Sequence, residues 1–523
     1  MKRFFYLFLF LLSAAQILHA QSAEDLVNQA INKASKKDFE GAIADCTSAI
    51  EIDPGSVKAF YSRGYAKSNL GRYADAIQDY DDAIELDPTF TVLYINRGNA
   101  KDELGQFADA IADFDHAISL EPRSAIAYNN RGIAKNSLGR YTDAIADFDE
   151  AITLLPKFEP AYNNRGHAKI NLKHYKEAIP DFDRAIALYP QFTQAYNNRG
   201  LAKDLLGEYA EAMSDLNQAL TIDPKCAESY NNRAHLKNNI KHYTEAIADC
   251  NQALALLPKY TDAFYNRGIA QSNLGKYENA IADFDQTVTL DPKYTDAYLN
   301  RGNAKKNLEK YDDAIADYDH AIMLDPKNIL AYANRADAKY KSGKNEDALK
   351  DLDQAIDLSS KSAFAYGIRG SIKNTLGQYN DAIADLDQAI AIDPAYPDAF
   401  YARALAKNSL GRYADAIADY DRVIKLDPKS ATAYLNRGLA KNSLNHYAEA
   451  IADFDQAIKL DPKSALAFQN RGYAYYKLGA SKTNYRRAIA DYNMAVEIGG
   501  SSYKPAFQYQ ENAMAALDKT SKN

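Results

Sequence analysis

An arginine returns every 34 residues, at Arg63, Arg97, Arg131, Arg165, Arg199, Arg233, Arg267, Arg301, Arg335, Arg369, Arg403, Arg437 and Arg471, with no slip across thirteen copies. A more degenerate copy, with Gln29 in the same register, precedes them, which makes fourteen repeats from about Ala23 to Ser502. A period of this length means that each copy is one supersecondary element pair leaning on its neighbours. The roughly three or four globular domains that the chain length would otherwise suggest are therefore not expected. The absence of Trp beside 39 Tyr fits one sequence position copied many times.

The stretch from Ala125 to Phe158 shows what is copied. Ala127, Tyr128, Arg131, Ala134 and Leu138 recur at three-to-four-residue spacing, the pattern of one helical face. Leu138-Gly139 ends that helix, because glycine tolerates the left-handed conformation of a helix stop. Tyr141 opens a second helix with an apolar stripe of Ala144, Ile145, Phe148, Ala151 and Ile152. Pro156 closes the repeat, since proline cannot continue a helix in the preceding register.

Tyr128, Gly132, Gly139, Tyr141, Ala144, Ala151 and Pro156 together resemble the tetratricopeptide repeat, and the resemblance covers almost all of the chain beyond its first residues. It implies an all-α solenoid: about fourteen stacked helix-turn-helix pairs forming a right-handed superhelix, with the first helices lining the concave groove. The expected organisation is a signal peptide over 1–20, an array over 21–502, and a capping helix with a frayed tail over 503–523. The cap is Tyr503 to Leu517, and the tail is Asp518 to Asn523. No cofactor or metal is expected.

Three places depart from the pattern. Pro180 sits inside a second helix and predicts a kink, at about 3 kcal/mol if unrelieved. Four extra residues after Leu478 predict a protruding loop in the last repeat. Asn345, Ser359-Ser360 and Gly367 replace the usual Tyr, Asp-Pro and Asn, so the segment 345–370 is expected to form the weakest interface. It either acts as a hinge or records neutral drift.

Two charged registers run the length of the array. Asp147 has a counterpart in every repeat, from Asp45 to Asp491, sixteen residues after each arginine except in the last repeat, where the insertion makes it twenty. Antiparallel pairing predicts an ion pair within each repeat that sets the register of its two helices. Loss of one partner would leave a charge uncompensated, at roughly 3–5 kcal/mol. Lys135 recurs in twelve copies and is expected to lay its stem along the helix with its amine in water.

The opposite face of the first helix carries Ile126, Asn129, Asn130, Ile133 and Ser137, and family geometry implies that it faces the groove. In the Asn130 register stand Asn96, Asn130, Asn164, Asn198, Asn232, Asn266, Asn300 and Asn334, then Ile368 and Ala402, then Asn436 and Asn470. A side-chain amide both donates and accepts, so such a row can pair with the backbone of an extended peptide whatever its sequence. Alternatively it bridges neighbouring helices or faces water. The Lys and Arg of the family's carboxylate clamp are absent from the Asn129 and Asn130 registers.

Nothing in the sequence stands out from the repeat as catalytic. His167 and His235, like His174 and His242, lie two repeats apart, beyond shared metal ligation. No His-Glu-x-x-His, Cys-x-x-Cys or phosphate-binding loop occurs. Cys46, Cys226 and Cys250 are an odd number in an exported chain and cannot complete a disulfide framework. The formal charge of −8 argues against a nucleic-acid groove. Lys2 and Arg3, the apolar run Phe4 to Leu12 and the small residue Ala20 read as a secretory leader cleaved before Gln21. The expected protein is a non-enzymatic scaffold for a protein or an extended peptide, periplasmic or secreted. The alternative is a structural subunit that self-associates through its ends or convex face.

Overall fold

The repeat from Ala125 shows how a first helix is begun and ended. In α7 (Ala125–Ser137) the Ser124 hydroxyl accepts from the Ala127 N–H at 3.4 Å, satisfying one of the free donors at the helix start. The helix stops at Gly139, whose φ is +75°. There the Gly139 N–H donates to the Asn136 carbonyl at 3.0 Å and the Arg140 N–H to the Lys135 carbonyl at 2.9 Å. Five repeats make this turn with Lys37, Lys173, Lys241, Glu309 or Asn445 at positive φ instead. The next helix, α8 (Tyr141–Leu154), ends two residues before Pro156.

A computed structural model describes residues 22–479, 481–500 and 504–522, and the expected leader at 1–20 lies outside them. Among the described residues there are 29 α-helices and no strand. They fall into two compact bodies, 1–270 and 271–523, which part within α15 (Thr261–Asn273).

Within each body the helices pack in chain order, and the core lies between three helices at a time. Ala144, Asp147, Phe148 and Ala151 form the buried stripe of α8. Phe148 and Ala144 meet Ala168 of α9 (Glu159–Asn171), while Ala151 meets Ala161. A second helix is thus covered by its own first helix on one side and by the next repeat's first helix on the other. The ring of Phe148 needs the bare backbone at Gly132, where a Cβ would lie 2.6 Å from its Cε1 atom. First helices also touch the first helices of adjacent repeats, which brings one face of each into a shared row.

The arginine register ties this stack together. Arg131 reaches Asp147 of its own repeat twice, Nη2 to Oδ1 at 2.6 Å and Nε to Oδ2 at 3.0 Å. The expected pair within the repeat is present, and the same guanidinium also extends Nη1 to Asp115 of the preceding repeat at 2.6 Å. Its carbon sits 5.2 Å from the centroid of the Tyr128 ring. In the second body Arg403 bonds Asp419 and Asp387 in the same way. Lys135 differs from expectation: its amine is not in water but 2.6 Å from Asp147 Oδ2, with the side chain 13% exposed. The buried carboxylate has two oxygens and the arginine leaves one of them with capacity for a second cation, which Lys135 supplies.

The departures from the pattern also take definite form. The helix α10 (Tyr175–Leu188) runs through Pro180, and its Ala178, Asp181, Phe182 and Ala185 are buried like their counterparts. In the stretch after Leu478, expected as a protruding loop, Lys482 to Asn484 are helical and Ala480 lies outside the described residues. The second helix, α28 (Lys482–Gly499), is 18 residues long, with Ser481 capping it through the Asn484 N–H at 3.2 Å. Arg471 still finds its carboxylate, now Asp491 at 2.6 Å. The segment 345–370 lies within the second body, where Arg335 with Asp351 and Arg369 with Asp353 continue the lattice. The last helix, α29 (Lys504–Lys522), continues through the expected tail and seats Tyr509 on Tyr492, their ring centroids 6.0 Å apart. Tyr503 and Asn523 lie outside the described residues.

Replacing Asp147 with Asn leaves Arg131 and Lys135 without their shared buried anion and is expected to destabilise the chain by about 3–5 kcal/mol. The same change at the exposed Asp115 is expected to cost less than about 1 kcal/mol. Asn217 and Asn251 already occupy that register and accept from Arg233 and Arg267. Urea unfolding followed by circular dichroism distinguishes the two variants.

Candidate functional site

The row of first helices presents the residues singled out for binding, and the structure joins many of them to one another. Ile126 is 53% exposed, Asn129 is buried, Asn130 and Ile133 are half-buried, and Ser137 is exposed. Asn164 donates to Asn129 of the preceding repeat at 3.1 Å, Asn198 to Asn163 at 3.1 Å, Asn232 to Asn197 at 3.0 Å and Asn266 to Asn231 at 2.9 Å. Asn130 reaches Asn99 at 2.9 Å. Within a repeat Asn129 donates to Asn130 at 3.0 Å, and Asn197 to Asn198 at 3.3 Å. The result is a relay of amides running from helix to helix through repeats three to eight.

Elsewhere the register behaves differently. The Nδ2 groups of Asn96, Asn300, Asn334 and Asn470 turn back to the carbonyls of Val92, Asp296, Leu330 and Leu466 on their own helices. Asn436 does so to Thr432 and also donates to the Tyr401 hydroxyl at 2.9 Å. Before Asn334 and Asn470 the Asn129 register of the preceding repeat holds Leu299 and Leu435, which offer no side-chain acceptor, whereas Tyr401 in that register does accept from Asn436. The partners Asn129, Asn163, Asn197 and Asn231 were not recognised as such from sequence. Their signal was the Tyr-Asn-Asn triplet repeated in four successive copies.

At Ser62, an interruption of the Asn register, a cavity of about 510 Å³ is lined by Ile31, Ala34, Tyr61, Tyr65 and Phe90, with Lys58 at its edge. Tyr61 and Phe90 stand 5.9 Å apart between centroids, and burial pushes the Tyr61 hydroxyl above its ordinary range, with Tyr65 adding to the effect. Ile31 and Tyr65 are 52% and 43% exposed, so the apolar wall is open to solvent. A surface of this kind offers side-chain sockets beside amide donors and acceptors, which suits a peptide better than a reacting group.

The remaining candidate chemistry is structural in its surroundings. Cys46 and Cys250 are buried in the core, and burial pushes the Cys46 thiol up to about 12, far from a reactive thiolate. Burial also draws His167 below its ordinary range, where it faces Asn136 at 3.4 Å. His235 lies 2.6 Å from Asp204, a carboxylate 3% exposed that also accepts from Asn239. Among the described residues no group of three or more His, Cys, Asp or Glu is placed to hold a metal.

Models described as tetratricopeptide repeat match residues 57–90, 95–157, 160–192, 193–226, 227–260, 261–294 and 295–328. A model described as TPR repeat matches 370–408, 404–444 and 440–479. The chain belongs to the tetratricopeptide-repeat family. None of the curated proteins matches this tetratricopeptide-repeat chain. Among solved structures it is similar to the APC/C hetero-tetramer Cut9–Hcn1, with 16% identity over 94% of this chain and 96% of that chain and a TM-score of 0.50, a likeness of fold alone. A tetratricopeptide repeat protein from Parabacteroides merdae is 23% identical over 48% of this chain and 99% of that chain, with a TM-score of 0.39. The MamA protein is 30% identical over 33% of this chain and 93% of that chain, with a TM-score of 0.29.

The two forms of the asparagine register predict different costs. Asn198→Ala removes the donor to Asn163 and the acceptor of Asn197, both buried, and is expected to destabilise the chain by about 1–3 kcal/mol. Asn470→Ala removes an exposed amide folded onto its own helix and is expected to change stability by less than about 0.5 kcal/mol. Equal shifts of the urea midpoint in the two variants would remove the relay as a stabilising feature.

Proposed function

We propose that this tetratricopeptide-repeat chain is a non-enzymatic scaffold outside the cytoplasm that holds an extended segment of a partner protein along its first-helix face. The observation that carries this is the combination, on one face, of a regular amide row and an open apolar cavity. An amide can make about four hydrogen bonds, two donated and two accepted. In the relay Asn130 uses one donor, to Asn99, and one acceptor site, from Asn129, so its other edge is available to a peptide backbone. Asn96, Asn130, Asn164, Asn198, Asn232, Asn266, Asn300, Asn334, Asn436 and Asn470 on this reading serve both the helix stack and the bound segment. The acidic net charge favours a protein partner over a nucleic acid. The basic and apolar start of the chain, Lys2 to Leu12, supports export.

A photo-crosslinking residue placed at Ile126, and separately at the exposed Glu150 on a second helix, tests the face that binds. The full chain is expressed with its leader, and the captured material is digested and identified. A contiguous segment of one partner captured from Ile126 and not from Glu150 is the expected result. Equal capture from both positions sinks the first-helix reading, and capture of a second copy of this chain favours the self-associating structural subunit. Intact mass of the chain recovered outside the cytoplasm is expected to begin at Gln21, and a chain retained in the cytoplasm with Met1 in place would overturn the export part.

A further inference from the structure

The asparagine register is interrupted a second time at Ile368 and Ala402, and the face changes character there. A cavity of about 520 Å³ opens between three successive first helices, α19 (Ile329–Lys341), α21 (Ala363–Thr375) and α23 (Pro397–Ser409). Its walls are aromatic and aliphatic: Tyr340, Phe364, Ile368, Tyr396, Tyr401 and Leu405. Gly367 makes this possible, because a Cβ there would lie 2.6 Å from Cε1 of Tyr396, whose ring occupies the place of a side chain. The volume falls in the range that accepts a large side chain with part of its backbone.

Two carboxylates, Asp337 and Asp398, and one cation, Lys341, stand around this cavity among hydroxyl and amide groups. Asn374 donates Nδ2 to the Ala402 carbonyl at 2.7 Å, while its Oδ1 atom is buried and has no partner among the described residues. An unanswered acceptor recurs in this register at Asp102, Asn238, Asn408 and Asn442, but at Asn374 it lines the cavity. Asp337 is already held by Lys306 at 2.7 Å, with Lys341 at 3.7 Å. Asp398, at the cavity edge, is exposed and makes no ion pair among the described residues. Burial, with Asp398 and Asp337 adding to it, pushes the Tyr396 hydroxyl up to about 12, so it remains a neutral phenol across the physiological range. With Asp337 matched by Lys306 and Lys341, the carboxylate of Asp398 and the amide oxygen of Asn374 are left beside an aromatic wall.

From this arrangement we infer that the cavity between α19, α21 and α23 is an anchor site for a peptide bearing an aromatic side chain next to Lys or Arg. The ring enters between Phe364, Tyr396 and Tyr401, where edge and face contacts between rings add to area burial. The neighbouring cation meets Asp398, and a backbone or side-chain N–H answers Asn374 Oδ1. An acidic or purely aliphatic segment gains neither the charge nor the ring contacts. The assignment rests on the scaffold reading and narrows it to one partner chemistry at one place.

The test uses the full chain and a fluorescein-labelled heptapeptide, Ser-Gly-Lys-Phe-Lys-Gly-Ser, titrated by fluorescence anisotropy at low ionic strength. The comparison probes carry Glu-Phe-Glu or Lys-Ala-Lys at the centre. The Lys-Phe-Lys probe is expected to bind at least about tenfold more tightly than either comparison probe, one of which loses the charge pair and the other the buried ring. Asp398→Lys, a change at an exposed side chain, is expected to erase the preference for Lys over Glu. Ser371→Trp is expected to abolish binding by filling the cavity, with circular dichroism and thermal midpoint checking that the fold is kept. Absence of binding to the unaltered chain, or equal binding by the unaltered chain and both variants, overturns the assignment. Capture of a partner segment from Ile126 that persists in Asp398→Lys, together with failure of this probe, would retain the scaffold and discard the anchor site.

Discussion

A pair of helices joined by a tight turn leaves an apolar stripe that its own partner covers on one side only, and in this chain the next pair supplies the other side. Phe148 shows the constraint at atomic scale. It is buried to 1% exposure, and burying it takes the bare backbone at Gly132 and the small Ala168 of the following repeat. No single hairpin could retain that packing, so the fold is a property of the array. The same dependence is met at α28, whose Ala488 and Tyr492 are covered by Ala513 and Tyr509 of α29.

The charged lattice follows from this stacking. A second helix that packs on both sides brings its Asp147-register carboxylate under the arginine of its own repeat, and its Asp149-register carboxylate within reach of the next repeat's arginine, as Arg165 shows with Asp181 at 2.5 Å and Asp149 at 2.6 Å. The buried and the exposed contact differ in kind. The first settles two cations on a carboxylate withdrawn from water, so its loss is severe. The second is open to solvent and tolerates Asn. Helix pairing within a repeat and stacking between repeats are therefore read by one guanidinium.

The same logic separates the structural from the adaptable parts of the first-helix face. Where two consecutive repeats carry Asn in both adjacent registers, the amides close the gap between helices. Where Ser62, Gly367, Ile368 or Ala402 stand, the bridge is absent and tyrosines from neighbouring turns wall a cavity. The regular residues hold the surface and the irregular ones shape it, which makes the interruptions of the repeat more informative about a ligand than the repeat itself.

The period, the helix pair, the turn at Gly139, the stop at Pro156 and the Arg131–Asp147 pair were legible in the amino-acid order, because each depends on contacts local in sequence or on strict copying. The second arginine contact to Asp115, the burial of the Lys135 amine and the partners of the asparagine row were not. The first and the last join residues of different repeats, and the Lys135 amine is drawn in because Asp147, buried by the stacking, can accept a second cation. The stretch after Leu478 was misjudged for a similar reason: Lys482 to Asn484 can form a loop or another helical turn, and packing of α28 against its neighbours selects the turn. Periodicity thus determined what each segment becomes. Only the tertiary structure decided which polar groups answer one another and where room is left, since those outcomes depend on distances between packed helices.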